Sequence, residues 1–362
     1  GVKLLIIDFD YYKPNKFLER NLFKFLSINQ LANITSINHY YLAKFVSKKF
    51  GKECSIYCGE ISDGAHNLGF SQYVSIFHPS SFIFREYSDK MNSYLFGPTF
   101  LNYVYSKKNL RLDPVFSIFY KNLKEFDLKN IKGNKYQIHT ELLSSFFLRS
   151  SRLPFISIKS LKLLNFKGQK EYENLMKKKS IEKYSKILNL KNIYSIYLYL
   201  YNFFHWQGST VISFEKTCEY FGLKGHLPFL DRKIQKILSQ LPENCGRGLD
   251  FNNTKFLLKE MLKKKIKYPI NLQSGPHSYL YDVDVNFNHS HELLYKSSLR
   301  KLFVTKLRKK KFLNNLDKSK FNINYINKLI IDYIHNKKVS GQDLSNLLSI
   351  AMHELVYSEF FE

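Results

Sequence analysis

Between Cys58 and Phe70 the chain reads Cys-Gly-Glu-Ile-Ser-Asp-Gly-Ala-His-Asn-Leu-Gly-Phe, directly after the apolar run Cys54-Ser-Ile-Tyr-Cys58. Two carboxylates, Glu60 and Asp63, stand among Gly59, Gly64 and Gly69 at the end of a predicted strand. Open α/β sheets hold phosphate and Mg²⁺ with such residues at the carboxyl edge of their strands, where glycine admits a phosphate and carboxylates ligate the metal. A nucleotide-using enzyme is the first expectation. Each residue also has a plain structural alternative. Asp63 can cap the helix that follows, Glu60 can be a solvated loop residue, and His66 and Asn67 can orient substrate or simply pack.

The elements that must position this loop read as follows. Val2 to Asp8 is a continuous apolar run, the pattern of a buried parallel strand. Helical spacing recurs from Lys16 to Leu31 (Phe17, Leu18, Leu22, Phe25, Leu26) and from Thr35 to Phe50, with Thr35 or Ser36 as N-cap and Gly51 as the stop. The second helix feeds the strand at 54–58, so the order is strand, helix, helix, strand, the grammar of a doubly wound sheet. Beyond Phe70 strand signals are scarce. Ser71 to Asn109 reads as helical with breaks at Pro79 and Pro98. From 115 to 205 lysine-rich and aromatic helical stretches alternate, broken by Gly133, Pro154 and Gly168, with the weakest pattern over 129–180. Helices are predicted near 210–221, 231–240, 254–264, 323–336 and 341–360. The expected fold class is α/β: a partial doubly wound parallel sheet in an α/β part over 1–110, followed by a mainly helical remainder over 111–362.

With 362 residues, 44% hydrophobic and 16% aromatic, the chain is globular and long enough for two packed cores. Its longest apolar stretch, Ile193 to Phe204, is interrupted by Tyr, Ser and Asn and falls short of the roughly 20 residues of a membrane span. No cleavable signal peptide is recognisable. The net charge of +26 raises a polyanionic partner. The lysines, however, travel with Asn, Ile, Phe and Tyr throughout, a general bias, and Lys177–Lys179, Lys263–Lys265 and Arg308–Lys311 read as solvated helix faces. Nucleic acid is therefore not the expected partner. Cys54, Cys58, Cys218 and Cys245 are too few for a disulfide scaffold. Cys54 and Cys58 face the same side of their strand, toward the core, and no paired spacing supports a zinc site with His66. A reducing cytoplasm is the simplest setting.

Further along, Leu227-Pro228-Phe229-Leu230-Asp231 is followed by Gln240-Leu241-Pro242, Thr254-Lys255 and Tyr268-Pro269. This ordered set resembles the synthetase domain of the asparagine synthetase family. That family shows a Pro-Phe-Leu-Asp motif opening a helix, a Leu-Pro at its end, a lysine leading the next helix and a further Leu-Pro. The loop at 58–63 is similar to the family's Ser-Gly-Glu-Gly-Ala-Asp-Glu segment and Met352-His-Glu-Leu to its closing helix, so the resemblance spans nearly the whole chain. It implies an adenine-nucleotide alpha-hydrolase-like sheet, with ATP and Mg²⁺ as cofactors. The implied reaction is adenylation of a small-molecule carboxylate followed by amide formation. The metal would neutralise charge on the pyrophosphate oxygens. The resemblance sets Gly59, Asp63 and Gly64 at the cofactor, with Asp63 as Mg²⁺ ligand. It gives Glu60 the proton of the attacking nitrogen, and it puts Lys255 within reach of phosphate as a point charge. Pro228 and Asp231 read as architecture, a fixed φ and a helix cap.

The departures from that family are equally specific. Its Ser-Gly-Gly-x-Asp-Ser loop, whose backbone amides hold pyrophosphate, occurs nowhere in the 362 residues. Nor is there an N-terminal cysteine backed by a glutaminase domain. Gly225-His226-Leu227 replaces the arginine expected before Pro-Phe-Leu-Asp, Gln273-Ser-Gly-Pro-His277 replaces a lysine after Pro269, and Gly64 stands where a second acid belongs. The changes at 64 and 273–277 point to a substrate other than aspartate. The chain also enters an apolar strand directly after Gly1, without a methionine. The expectation is a domain whose pyrophosphate loop comes from an upstream segment or a partner chain. A catalytically silent scaffold is the alternative.

Overall fold

The structure, a computed structural model, describes residues 5, 7, 16–29, 36–66, 90, 91, 93–106, 109–119, 133–148, 162–206, 211–250, 252–269 and 291–361. Apart from Leu5 and Ile7 the predicted strand Val2–Asp8 lies outside these residues, as do Asn67, Gly69 and Gln273–His277. Among the described residues the protein is mostly helical, with one small parallel sheet of two strands.

In chain order the main elements are α1 (Lys16–Asn29), α2 (Ile37–Phe50), β1 (Ser55–Tyr57), α3 (Ser62–Ala65), α4 (Pro98–Tyr105), α5 (Pro114–Phe119) and α6 (Lys135–Phe147). Then come α7 (Phe166–Met176), α8 (Glu182–Ile187), α9 (Ile193–Trp206), α10 (Val211–Tyr220), β2 (Lys224–His226) and α11 (Arg232–Gln240). The chain continues with α12 (Phe256–Met261), α13 (Arg300–Lys309), α14 (Ile323–Ile334) and α15 (Gly341–Phe361). α2 stops at Gly51, whose φ of 87° is open to glycine and costly for other residues. α6 starts with a capping box: Asn134 Oδ1 accepts from the Gln137 amide and Gln137 Oε1 from the Asn134 amide, both at 3.0 Å.

β1 and β2 run parallel with Ser55 opposite Lys224, Ile56 opposite Gly225 and Tyr57 opposite His226. β2 is the strand that sequence reading missed. Lys-Gly-His has little β propensity of its own, and its conformation is imposed from outside. The Leu223 amide returns to Cys218 O at the end of α10, and Lys224 and Cys58 complete the ladder by donating to Cys54 O and His226 O. Gly225 faces α10 so closely that a Cβ there would stand 3.0 Å from the Phe214 ring and 3.2 Å from Cys218 Sγ. On β1, Cys54, Ile56 and Cys58 turn toward this small cluster of Ala43, Phe214, Cys218 and Leu223, while Ser55 and Tyr57 are exposed. The two cysteines thus share a side as expected, half-buried rather than fully enclosed. All four cysteines are free thiols.

Two large cores carry most of the burial. One packs α4, α6 and α9 through Phe96, Phe100, Leu142, Phe146, Tyr197 and Leu200. The other packs α1 against α13, α14 and α15 through Leu22, Phe25, Phe303, Ile330, Tyr333 and Leu347. Both draw residues from before and after position 110. A third, smaller cluster of Ile61, Ala65, Leu198, Val211 and Leu238 lies directly beneath the loop that follows β1. No helix among the described residues is long and apolar enough to cross a membrane.

Candidate functional site

The parallel sheet brings the two motif regions to one edge. Beyond β1 the Glu60 amide donates to the Cys58 thiol, whose pKa burial pushes above its ordinary value. Glu60 itself is half-buried. Ile61 then adopts φ 72°, a left-handed conformation that is an outlier for a β-branched side chain. Burial holds it there, since Ile61 is 3% exposed within the cluster under the loop. α3 follows as a single turn, closed by Ala65 N donating to Ile61 O and His66 N to Ser62 O and Asp63 O.

Beyond β2, Pro228–Leu230 forms a 3₁₀ turn and Asp231 caps α11. Its Oδ1 accepts from the amides of Lys233 at 2.9 Å and Ile234 at 3.0 Å. The architectural reading of Pro228 and Asp231 is what the local structure displays. α11 is anchored chiefly by Leu238 and delivers the chain to a loop over 242–255, which a buried lysine pins. Lys90, 4% exposed, pairs with the Asp250 carboxylate at 2.8 Å and donates to the backbone oxygens of Asp250 and Asn252. Asp250 in turn accepts from the Gly246 amide at 3.0 Å.

At the end of this loop Thr254 is fully buried and Lys255 takes φ 54° before α12 begins. Its ammonium meets Asp63: Nζ lies 2.5 Å from Oδ1, with the side chains 14% and 18% exposed. Two residues singled out separately in the sequence, one after β1 and one leading α12, thus form a charged pair mostly shielded from water. Gly59 is exposed and has open space at its Cβ position. Gly64 is buried against Tyr201 of α9, which leaves no room for a side chain there.

Arg247 escaped sequence reading. It is 1% exposed, donates to Leu241 O at 3.2 Å and to Leu238 O at the end of α11, and reaches Ala65 O at 3.3 Å at the end of α3. Its guanidinium lies 4.6 Å from the Tyr194 ring centroid, and burial pushes its pKa down to about 10. Its signal in the sequence was an arginine between two glycines, just after Leu-Pro, in a chain whose cations are mostly lysine. His66, 4% exposed, faces Phe229 edge-on. Burial, then the charges of Arg247 and Lys255, push its pKa down to about 3, so at neutral pH it is an uncharged imidazole.

Chemically the arrangement offers an ion-paired carboxylate and ammonium, Asp63 and Lys255, with the Glu60 carboxylate in the same loop. Among the described residues no three His, Cys, Asp or Glu side chains converge as a metal cage. The donor set fits a cation of the Mg²⁺ type only as a shared ligand, because such ions are commonly held by one or two carboxylates together with substrate phosphates. No protein-family model, no curated protein and no solved structure matches this chain.

Proposed function

We propose that the chain is an asparagine-synthetase-like ligase domain: it activates a small-molecule carboxylate with ATP and Mg²⁺ and passes it to a nitrogen nucleophile to form an amide. The observation that carries this reading is the 2.5 Å pairing of Lys255 with Asp63 beside the carboxyl ends of two parallel strands. The left-handed backbone of Lys255 itself and of Ile61, two residues before Asp63, supports it, since strain of this kind persists where surroundings over-determine it and clusters at functional sites.

In this reading Asp63 holds Mg²⁺, which when bound neutralises charge on the phosphate oxygens. Lys255 supplies a positive charge to the same oxygens, and Glu60 accepts the proton that leaves the attacking nitrogen. Gly59 leaves room for the nucleotide at the end of β1. The replacement of the second acid by Gly64 points to a carboxylate other than aspartate. The Ser-Gly-Gly-x-Asp-Ser loop comes from an upstream segment or a partner chain.

Calorimetry with Mg-ATP, on this chain alone and joined to any upstream segment encoded beside it, tests the reading. Binding by the extended protein, together with loss of pyrophosphate release in Asp63→Asn, is the expected result. Absence of nucleotide binding in the extended protein, or unchanged pyrophosphate release in Asp63→Asn, defeats it. A second reading, a silent scaffold for an ATP-binding partner, is favoured by one observation: Tyr201 fills the space where the second acid would stand.

A further inference from the structure

We propose that Lys255 is a placeholder on Asp63 that makes metal binding conditional on phosphate: the ammonium holds the carboxylate until a phosphate oxygen draws it away, and only then can Asp63 take a divalent cation. The proposal rests on the ligase reading for the identity of the ligand. It goes beyond that reading in assigning an order to the site.

The contact itself carries the inference. At 2.5 Å from Asp63 Oδ1, with both side chains mostly shielded from water, the ammonium occupies an oxygen that a metal ion would need. A cation placed there would face both the loss of that contact and repulsion at short range in a poorly solvated setting. Simple departure of the lysine is unfavourable as well, because it would take an ammonium at 2.5 Å away from a carboxylate mostly shielded from water. A second anion resolves the conflict by giving the ammonium a new partner as the cation replaces it on Asp63.

The backbone suits such an exchange. Lys255 is fixed at φ 54°, its carbonyl accepts from the Lys259 amide at 3.0 Å, and Thr254 before it is fully buried. The charge therefore moves on a flexible four-carbon stem over a fixed backbone. Asp63 cannot follow it far, since α3 is held from below by Ile61 and Ala65 and at its end by Arg247.

The experiment measures water-proton relaxation enhancement by Mn²⁺ on the purified chain joined to any upstream segment encoded beside it, with and without stoichiometric inorganic pyrophosphate. The wild type is expected to bind Mn²⁺ weakly alone and about tenfold or more tightly with pyrophosphate, a coupling that must be reciprocal. Lys255→Met and Lys255→Gln are expected to bind Mn²⁺ about tenfold more tightly than wild type without pyrophosphate and to gain little from its addition. Lys263→Met, which removes an exposed lysine, should behave as wild type, and Asp63→Asn should show no enhancement. If wild type and the Lys255 variants bind Mn²⁺ alike without pyrophosphate, or pyrophosphate leaves wild-type binding unchanged, the placeholder role is overturned while Asp63 stands as a metal ligand. Enhancement that survives in Asp63→Asn, or none in any variant, overturns both the placeholder and the metal site of the ligase reading.

Discussion

Gly64 lies against the ring of Tyr201 so closely that a methyl group on its α-carbon would overlap the ring edge at Cε1 and Cδ1. Tyr201 is itself 4% exposed within the core of α4, α6 and α9, so it has little room to withdraw. Gly64→Ala should therefore destabilise the protein by about 1–3 kcal/mol, the usual effect of overpacking. Gly64→Glu should cost more, since its longer side chain meets the same ring. Urea unfolding midpoints measure both, and an unchanged midpoint in Gly64→Ala would remove the packing explanation.

Arg247 serves carbonyls at the ends of two elements, Leu238 and Leu241 at the end of α11 and Ala65 at the end of α3. Arg247→Met keeps the apolar stem and removes the guanidinium donor from Ala65 O, Leu241 O and Leu238 O, the last of which keeps the Leu241 amide, at about 1–3 kcal/mol for a buried oxygen left unsatisfied. Arg247→Lys should recover only part of the loss, because an ammonium lacks the planar fork that spans separated acceptors. Equal stability of the methionine and lysine variants would show that packing rather than hydrogen bonding sets the effect. Hydrogen exchange should rise at α3 and the end of α11 together.

Stability should fall on acidification. Burial pushes His66 down to about 3 and His39, which packs against Phe214 and Ser213, down to about 4. Below the ordinary imidazole value of about 6.5 the unfolded chain binds protons that the folded chain refuses, so the unfolding free energy decreases as pH falls. Each histidine contributes a slope of about 1.4 kcal/mol per pH unit in this window. Urea titrations between about pH 7 and 5 should show a shallower decline in His66→Gln and His39→Gln than in wild type. Parallel declines would mean that both imidazoles protonate freely in the fold.

Asp231 separates architecture from chemistry at the Pro-Phe-Leu-Asp motif. Its carboxylate accepts from the first amides of α11, those of Lys233 and Ile234. Asp231→Ala should cost about 1 kcal/mol, whereas Asp231→Asn, also a good cap, should cost little. Neither should alter Mn²⁺ binding. A loss of metal binding in Asp231→Asn would give the motif a direct part in the site.

Local pattern was enough to find α1, α2, α10, α11, α14 and α15 within a few residues, because helical periodicity and caps act over one or two turns. β1 was legible for a similar reason, its inward face alternating as Cys54, Ile56 and Cys58. β2 was not, since its three residues carry no strand signal and take their conformation from β1 and α10.

The residue types of the site were likewise legible: two acids and glycines after a strand, a lysine before a helix, an aspartate at a cap. By itself the sequence determined which groups were available and which short elements would hold them, because those depend on neighbours along the chain. The meeting of Asp63 with Lys255, the burial of Arg247 under three carbonyls and the closure of the Gly64 position by Tyr201 were decided only by tertiary structure. Each joins segments far apart in the chain. Distance between such groups is set by how helices and strands pack, and no spacing in the sequence encodes it.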